Sequence, residues 1–172
     1  MQLVEVSEKY FDGILDYRSA CSSMGITHID GSSNLEEYDN VQNWYNRVTL
    51  LSNIMTVPEG MVSATQFVFL SDEGKILGML NARHYLNMDL SQVGGHISFS
   101  VRPGLSSSFG TLMLSNALEL YKNVGETEVL LTCLDGDNVK KNSIIINGGK
   151  YSGNYESDDG QIYDHYLVNL NK

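Results

Sequence analysis

The sequence predicts an α+β fold: a mixed sheet with helices on its faces, in a single domain spanning residues 1–172. Three observations carry this. Strand-like segments come first as a hairpin meander and then alternate with helices, which a purely parallel sheet does not fit. Residues 96–102 set Ile97, Phe99 and Val101 against His96, Ser98 and Ser100, the period of two of a strand with one polar face. The length fits one domain at roughly 100–200 residues each, and the apolar fraction of 42% is that of an ordinary globular chain.

The elements follow in order. A strand at 2–6 leads into a helix whose apolar positions Tyr10, Phe11, Ile14 and Leu15 recur at helical spacing until Gly25 ends it. A loop with His28 and Asp30 follows. Asn34 with Glu37 three residues on reads as a capping pair for a second helix, whose stripe is Tyr38, Val41, Trp44, Tyr45, Val48 and Leu51 and which stops near Pro58. Segments 65–70 and 75–83 are rich in β-formers around the turn Ser71-Asp72-Glu73-Gly74, a hairpin of two central strands. Gly94-Gly95 breaks the chain before the strand at 96–102. A Ser/Gly loop then opens a helix with Leu112, Met113, Asn116, Ala117 and Leu120 inward. A buried-type strand at 129–132, a short helix at 138–147 closed by Gly148-Gly149, and a hairpin at 150–155 and 162–170 around Ser157-Asp158-Asp159-Gly160 complete the chain.

Lysine and arginine number 11 against 21 acidic residues, a net charge of -10, which argues against non-specific nucleic-acid binding and favours a basic or neutral partner. Cys21 and Cys133 lie far apart with no Cys-x-x-Cys, so two reduced thiols are expected rather than a disulfide or zinc ribbon, and the four histidines have no metal-ligand spacing. There is no apolar run of ~18 residues and no basic-then-apolar leader, so a cytoplasmic protein with no membrane partner is expected.

The loop from Ser106 to Thr111 is the first candidate site, because amides gathered at a helix start bind phosphate through their N–H dipoles; an ordinary strand-to-helix connection is the alternative. The runs Gly78-Met79-Leu80-Asn81-Ala82-Arg83-His84-Tyr85-Leu86-Asn87 and Gly94-Gly95-His96-Ile97-Ser98-Phe99-Ser100-Val101-Arg102-Pro103 resemble a bacterial branch of the GNAT N-acetyltransferase superfamily. So do Leu130-Leu131-Thr132-Cys133, Asp137-Asn138 and Asn147-Gly148-Gly149, and the match covers roughly residues 64–170. The resemblance implies a central, mostly antiparallel sheet in which two parallel strands, 96–102 and 129–133, splay to admit the pantetheine arm of acetyl-CoA. Phe99 and Val101 would offer main-chain groups to that arm, with the Val101 N–H meeting the thioester oxyanion. Ser106, Ser107, Ser108, Phe109, Gly110 and Thr111 would wrap the pyrophosphate, and Asn138 would join the coenzyme side.

The sequence departs from the family pattern in the loop. In the register Leu105-Ser106-Ser107-Ser108-Phe109-Gly110 only the last glycine survives, Ser108 stands at a glycine position, and basic residues are absent, which implies weakened coenzyme binding. The helix at 138–147 is one residue short, and Ile144 or a neighbour stands where the family often carries a tyrosine acid. His96 is the expected general base, on the polar face of the splayed strand; a structural histidine is the alternative, and His84 is the second candidate. The stripe from Tyr38 to Val48 reads as core or as one wall of an acceptor pocket. The acidic residues Asp30, Glu36, Glu37 and Asp39 read as a solvated face whose sign also suits a cationic substrate.

The function this implies is direct transfer of an acetyl group from acetyl-CoA, as co-substrate, to a primary amine of a small molecule or peptide, with no metal and with a homodimer as a compatible assembly. The rivals are a degenerate domain that binds coenzyme A or another ligand in a regulatory role, and an interaction protein using its sheet edge.

Overall fold

A computed structural model describes residues 1–171. Strands β1 (Gln2–Glu5), β2 (Ala64–Leu70), β3 (Ile76–Arg83) and β4 (Ile97–Val101) pair antiparallel in that order. Strands β5 (Glu128–Leu134), β6 (Lys150–Glu156) and β7 (Ile162–Asn169) form a second antiparallel set in the order β5-β7-β6. The expected mixed sheet is thus opened into two parts along β4 and β5. β2 and β3 are both interior, as their turn chemistry and near-continuous burial require.

Helices α1 (Phe11–Ser23) and α2 (Val41–Leu51) cover one face, where Ile14, Tyr17, Trp44, Val68 and Met79 form a core. On the other face α4 (Ser108–Asn123) packs on β1, β3 and β4 and α5 (Asn138–Ile146) on β5, over a core that includes Phe69, Phe99, Met113, Leu131 and Tyr166. A short α3 (Met88–Gln92) links β3 to β4. The sequence pattern gave no sign of it, because five residues are too few for a helical period; its one local signal is the Asn87 side chain, which accepts the Leu90 N–H at 3.0 Å.

Three expectations are corrected. Asn34 does not cap α2: its backbone is left-handed (φ 59°) and it heads only the short turn Leu35–Glu37, while Asn40 caps α2 by accepting the Gln42 N–H at 2.7 Å. The buried face of α4 is Met113, Leu114, Ala117, Leu118 and Tyr121, with Leu112 and Leu120 turned outward. Gly110 sets that rotation, because an added Cβ there would come within 3.2 Å of Val101 and 3.3 Å of Phe99, so this side of the helix presses on β4. Finally, β4 begins at Ile97 and leaves His96 outside the strand.

The two sheets meet at one joint. The His96 N–H donates to the Leu130 carbonyl at 2.8 Å, and the Leu130 N–H donates to His96 Nδ1 at 3.0 Å. The Gly94 N–H adds a bond to Thr132 Oγ1 at 2.9 Å. Gly95 makes this approach possible: its φ is 61°, and a Cβ there would stand 2.5 Å from the Leu130 carbonyl oxygen. Gly95→Ala is therefore expected to lower stability by at least ~1–3 kcal/mol, the cost of a left-handed non-glycine residue, with the clash added to it. Chemical denaturation of the variant checks this, and an unchanged midpoint would show that the joint is not close-packed.

Candidate active site

Hydrogen-bond alternation decides which main-chain groups face the opening between the sheets. In the β3–β4 ladder the Arg102 N–H bonds the Leu77 carbonyl and the Arg83 N–H bonds the His96 carbonyl. With Met79 opposite Ser100 and Asn81 opposite Ser98, the even-numbered residues of β4 are the ones bonded to β3. Ile97, Phe99 and Val101 therefore turn their N–H and C=O toward β5. On β5 the Leu170 N–H to Thr127 carbonyl and Asp135 N–H to Ile162 carbonyl bonds fix the same alternation against β7, so Leu130, Thr132 and Leu134 face β4. Leu130 is used in the joint. Beyond it the strands run on in the same chain direction, and two chambers occupy the space between them.

The inner chamber, about 440 Å³, is walled by Ile97 and Ser98 on one side and Thr132, Cys133 and Leu134 on the other. The outer chamber, about 410 Å³, runs along Phe99 to Leu105 and reaches Ser107 and Gly110 of the α4 start and Ser143 of α5. Asp30, Asp137 and Lys140 border both. A groove of about 680 Å³ between α4 and α5 continues from Ser107 past Thr111, Asn142 and Asn147.

The Ser/Gly loop lies at the outer end. Ser106, Ser107 and Ser108 are exposed, and the Ser108 hydroxyl donates to Ser106 Oγ at 2.9 Å. The Phe109, Gly110 and Thr111 amides are already bonded to Ser106 or Ser107 carbonyls. Phe109 packs toward the core, Gly110 is buried, and Thr111 Oγ1 bonds Ser143 Oγ at 3.1 Å. Of the six expected loop residues, the three serines are those that stand open at the helix start. Asn138 is exposed and borders neither chamber; its neighbours Asp137, Val139 and Lys140 do.

The loop after α1 supplies the other wall, and it is locked in place. Trp44, fully buried, donates its indole N–H to the Ser32 carbonyl at 2.7 Å. Buried Gln66 donates to the Gly31 carbonyl at 2.6 Å, Ser33 Oγ donates to Gln66 Oε1 at 2.7 Å, and Asn81 donates to Ser33 Oγ at 3.1 Å. Gly31, with φ 72°, lies so close to β4 that a Cβ would meet the Ser98 carbonyl oxygen at 2.4 Å. Ser33 and Asn34 both hold positive φ, 54° and 59°, a strained arrangement kept by this network.

The result is a row of charged groups across the cleft mouth. Glu36 Oε1 lies 2.7 Å from His28 Nδ1, His28 Nε2 lies 3.5 Å from Asp30 Oδ1, and Asp30 Oδ2 receives the Lys140 ammonium at 2.5 Å. Lys140 Nζ also stands 5.5 Å above the centre of the Phe99 ring. No spacing rule links residues 28, 30, 36 and 140; the acidic loop residues were visible in sequence, but His28 and Lys140 join them only through the fold.

His96 is taken out of the cleft. Gly94 and Gly95 turn the chain immediately before it, so the alternation of Ser98 and Ser100 does not extend to its side chain. Its ring is edge-on to Tyr121 of α4, centroids 5.8 Å apart, and it borders neither chamber. Burial holds its pKa below the ordinary imidazole value, against opposing contributions from Leu130, Glu126 and Glu128. His84 is bonded to Ser63 Oγ and Thr65 Oγ1 at 3.0 and 2.8 Å, and His165 Nε2 to the Gln92 carbonyl at 2.7 Å. Cys133 borders the inner chamber, but burial pushes its thiol up to about 11, which leaves almost no thiolate at neutral pH. Among the described residues no cluster of three His, Cys, Asp or Glu side chains could hold a metal ion.

The depressed His96 pKa has a defined sign. The unfolded chain takes up a proton near pH ~6.5 that the folded joint resists, so this residue's contribution to stability is full above ~6.5 and is lost as pH falls through that region. His96→Gln is expected to melt below the wild type at about pH 7.5, with the gap narrowing toward about pH 5. Thermal melts of both proteins across this range check it, and a gap independent of pH would contradict a neutral His96 at the joint.

No protein-family model matches the chain, and no curated protein matches its sequence. Solved structures do. A ribosomal-protein-S5-alanine acetyltransferase from Vibrio fischeri superposes with a TM-score of 0.73 at 11% identity, covering 99% of this chain and 93% of that one. The acetyltransferase of the GNAT family from Bacillus anthracis gives 0.63 at 11% identity, over 99% and 95% of the two chains. Salmonella typhimurium yncA, solved with its cofactor acetyl-CoA, gives 0.63 at 12% identity, over 99% and 94%. At such identities the likeness is one of fold, and the fold of this chain is that of the GNAT N-acetyltransferase superfamily.

Proposed function

We propose that the chain is an acetyl-CoA-dependent N-acetyltransferase acting on a primary amine. One observation carries this reading: among the described residues Gly94 and His96, just ahead of β4, bond to Thr132 and Leu130 of β5, and beyond that joint both strands turn strand-type donors and acceptors into a cleft that ends at a helix start. Such an opening receives an extended amide chain as an added strand. Pantetheine fits this role, pairing with Val101 and Phe99, with its pyrophosphate at Ser106, Ser107 and Ser108 and its adenosine in the α4–α5 groove. Without a lysine or arginine in that loop the affinity is modest, resting on amides and hydroxyls.

Counted inward from the α4 start, Val101 meets the arm before Phe99 does. The Phe99 N–H is nearer the meeting of the two chambers, so we assign it to the thioester oxyanion and Val101 to pantetheine. The high Cys133 thiol pKa speaks for direct attack rather than a thioester on the protein. A base must take the acceptor's proton, and the histidine that reaches the chambers is His28. Its Nδ1–H is held by Glu36 and its Nε2 faces Asp30 and the inner chamber, while the carboxylates beside it attract an ammonium. A second reading, coenzyme binding without transfer, is favoured by one feature: the Asp30–Lys140 bridge lies across the cleft.

Release of free coenzyme A thiol from acetyl-CoA across a panel of amines separates the two. Transfer predicts amine-dependent release; binding alone predicts none at any amine. With the best acceptor, His28→Ala should lose roughly 10²–10⁴ in turnover and the base limb of the pH profile, whereas His96→Gln should stay within a few-fold. The reverse pattern would return the base to His96.

A further inference from the structure

Resting on that reading, we infer that Lys140 is the counter-ion of the leaving coenzyme A thiolate. The helix position where the resemblance expects a tyrosine acid falls at Ile144 or a neighbour; Ile144 is buried in the core, and neither Ser143 nor Ile145 beside it carries a phenol. One turn earlier on the same helix, Lys140 sends its ammonium back across the cleft. It stands over the Phe99 ring and borders both chambers, where the thioester end of an arm laid along β4 must arrive. The neighbouring Lys141 is committed elsewhere, 2.7 Å from Asp164 and 3.7 Å from Asp135. Among the described residues the ion-pair partner of Lys140 is Asp30, on a loop that also faces the inner chamber.

The chemistry sets what this ammonium does. The amine nitrogen forms a bond to the thioester carbon and gives its proton to the base; the C–S bond breaks and its electron pair leaves on sulfur. An alkylammonium is a weaker acid than a thiol, so it serves the thiolate as a counter-ion and not as a proton source. It keeps all three protons and shifts from Asp30 to the sulfur anion as a charge-assisted hydrogen-bond donor. The acceptor's ammonium arriving beside Asp30 provides the exchange: one cation replaces another on the carboxylate. The thiolate then takes a proton from water on release.

The test is a binding measurement independent of turnover. Coenzyme A and acetyl-CoA share the pantetheine and pyrophosphate contacts and differ in a free thiol against an acetyl thioester, so the pH dependence of their affinity ratio cancels the shared titrations of the protein groups that face Lys140. Those are Asp30 and His28 of the loop, Asp137 at the α5 start, Cys133 of β5, Arg83 of β3, Arg102 just past β4 and Tyr163 of β7. Calorimetry from about pH 6.5 to about 9 should show coenzyme A gaining on acetyl-CoA by roughly tenfold or more, because a bound thiol of lowered pKa releases its proton on binding. Lys140→Met should abolish the gain while acetyl-CoA still binds, and Lys140→Arg, which keeps the charge but cannot give up a proton, should retain it. A flat ratio in the wild type, a gain that persists in Lys140→Met, or its loss in Lys140→Arg would overturn the inference. Failure of the wild type to bind acetyl-CoA would be a different result, removing the coenzyme reading and this inference with it.

Discussion

The joint between His96 and Leu130 governs the rest of the molecule. Two hydrogen bonds fasten one sheet to the other there, and the second is unusual in using a side chain: the Leu130 N–H goes to His96 Nδ1. The His96 carbonyl is already taken by the Arg83 N–H and the Tyr121 hydroxyl, so it cannot carry a second rung to β5. The ladder stops where it starts. Past it, Ile97, Phe99 and Val101 face Thr132 and Leu134 across a gap, and a main-chain donor buried without a partner costs about 1–3 kcal/mol. A gap lined this way is sustained by water or by a ligand that completes the strands.

The second constraint is the fixation of the loop after α1. Trp44, Gln66, Asn81 and the close approach of Gly31 to β4 hold it against the splay, so Asp30 and His28 reach the cleft without a secondary-structure element of their own. Glu36, His28, Asp30 and Lys140 then span the mouth from one layer of helices to the other. The net charge of -10 gives this row a wider setting, a negative surface whose sign favours cationic over anionic partners.

Much of the fold was legible in the sequence because periodicity is local. The β2–β3 hairpin, with Ser71 to Gly74 between runs of β-formers, and the alternation of Ile97, Phe99 and Val101 are patterns that a few residues suffice to fix. What failed was also local in cause. Asn34 with Glu37 has the spacing of a capping pair, but the Ser33–Gln66–Asn81 network pulls Asn34 into a left-handed turn and passes the cap to Asn40. His96 has the right parity for the polar face, and two left-handed glycines cancel parity just before it. The charged row was illegible for another reason: residues 28 and 140 come together only where the loop after α1 meets the first turn of α5, with Asp30 between them.

Amide hydrogen–deuterium exchange, with and without acetyl-CoA, tests the central claim that β4 and β5 open to receive an added strand. Protection on binding should fall on the amides that face the gap, Phe99 and Val101 of β4 and those of Ser106, Ser107 and Ser108 at the α4 start. The amides of Ser98 and Ser100, already bonded to β3, should change little. This alternation along β4 is the signature of a ligand paired as a strand. Protection spread evenly over β4, or confined to another face of the protein, would contradict the account.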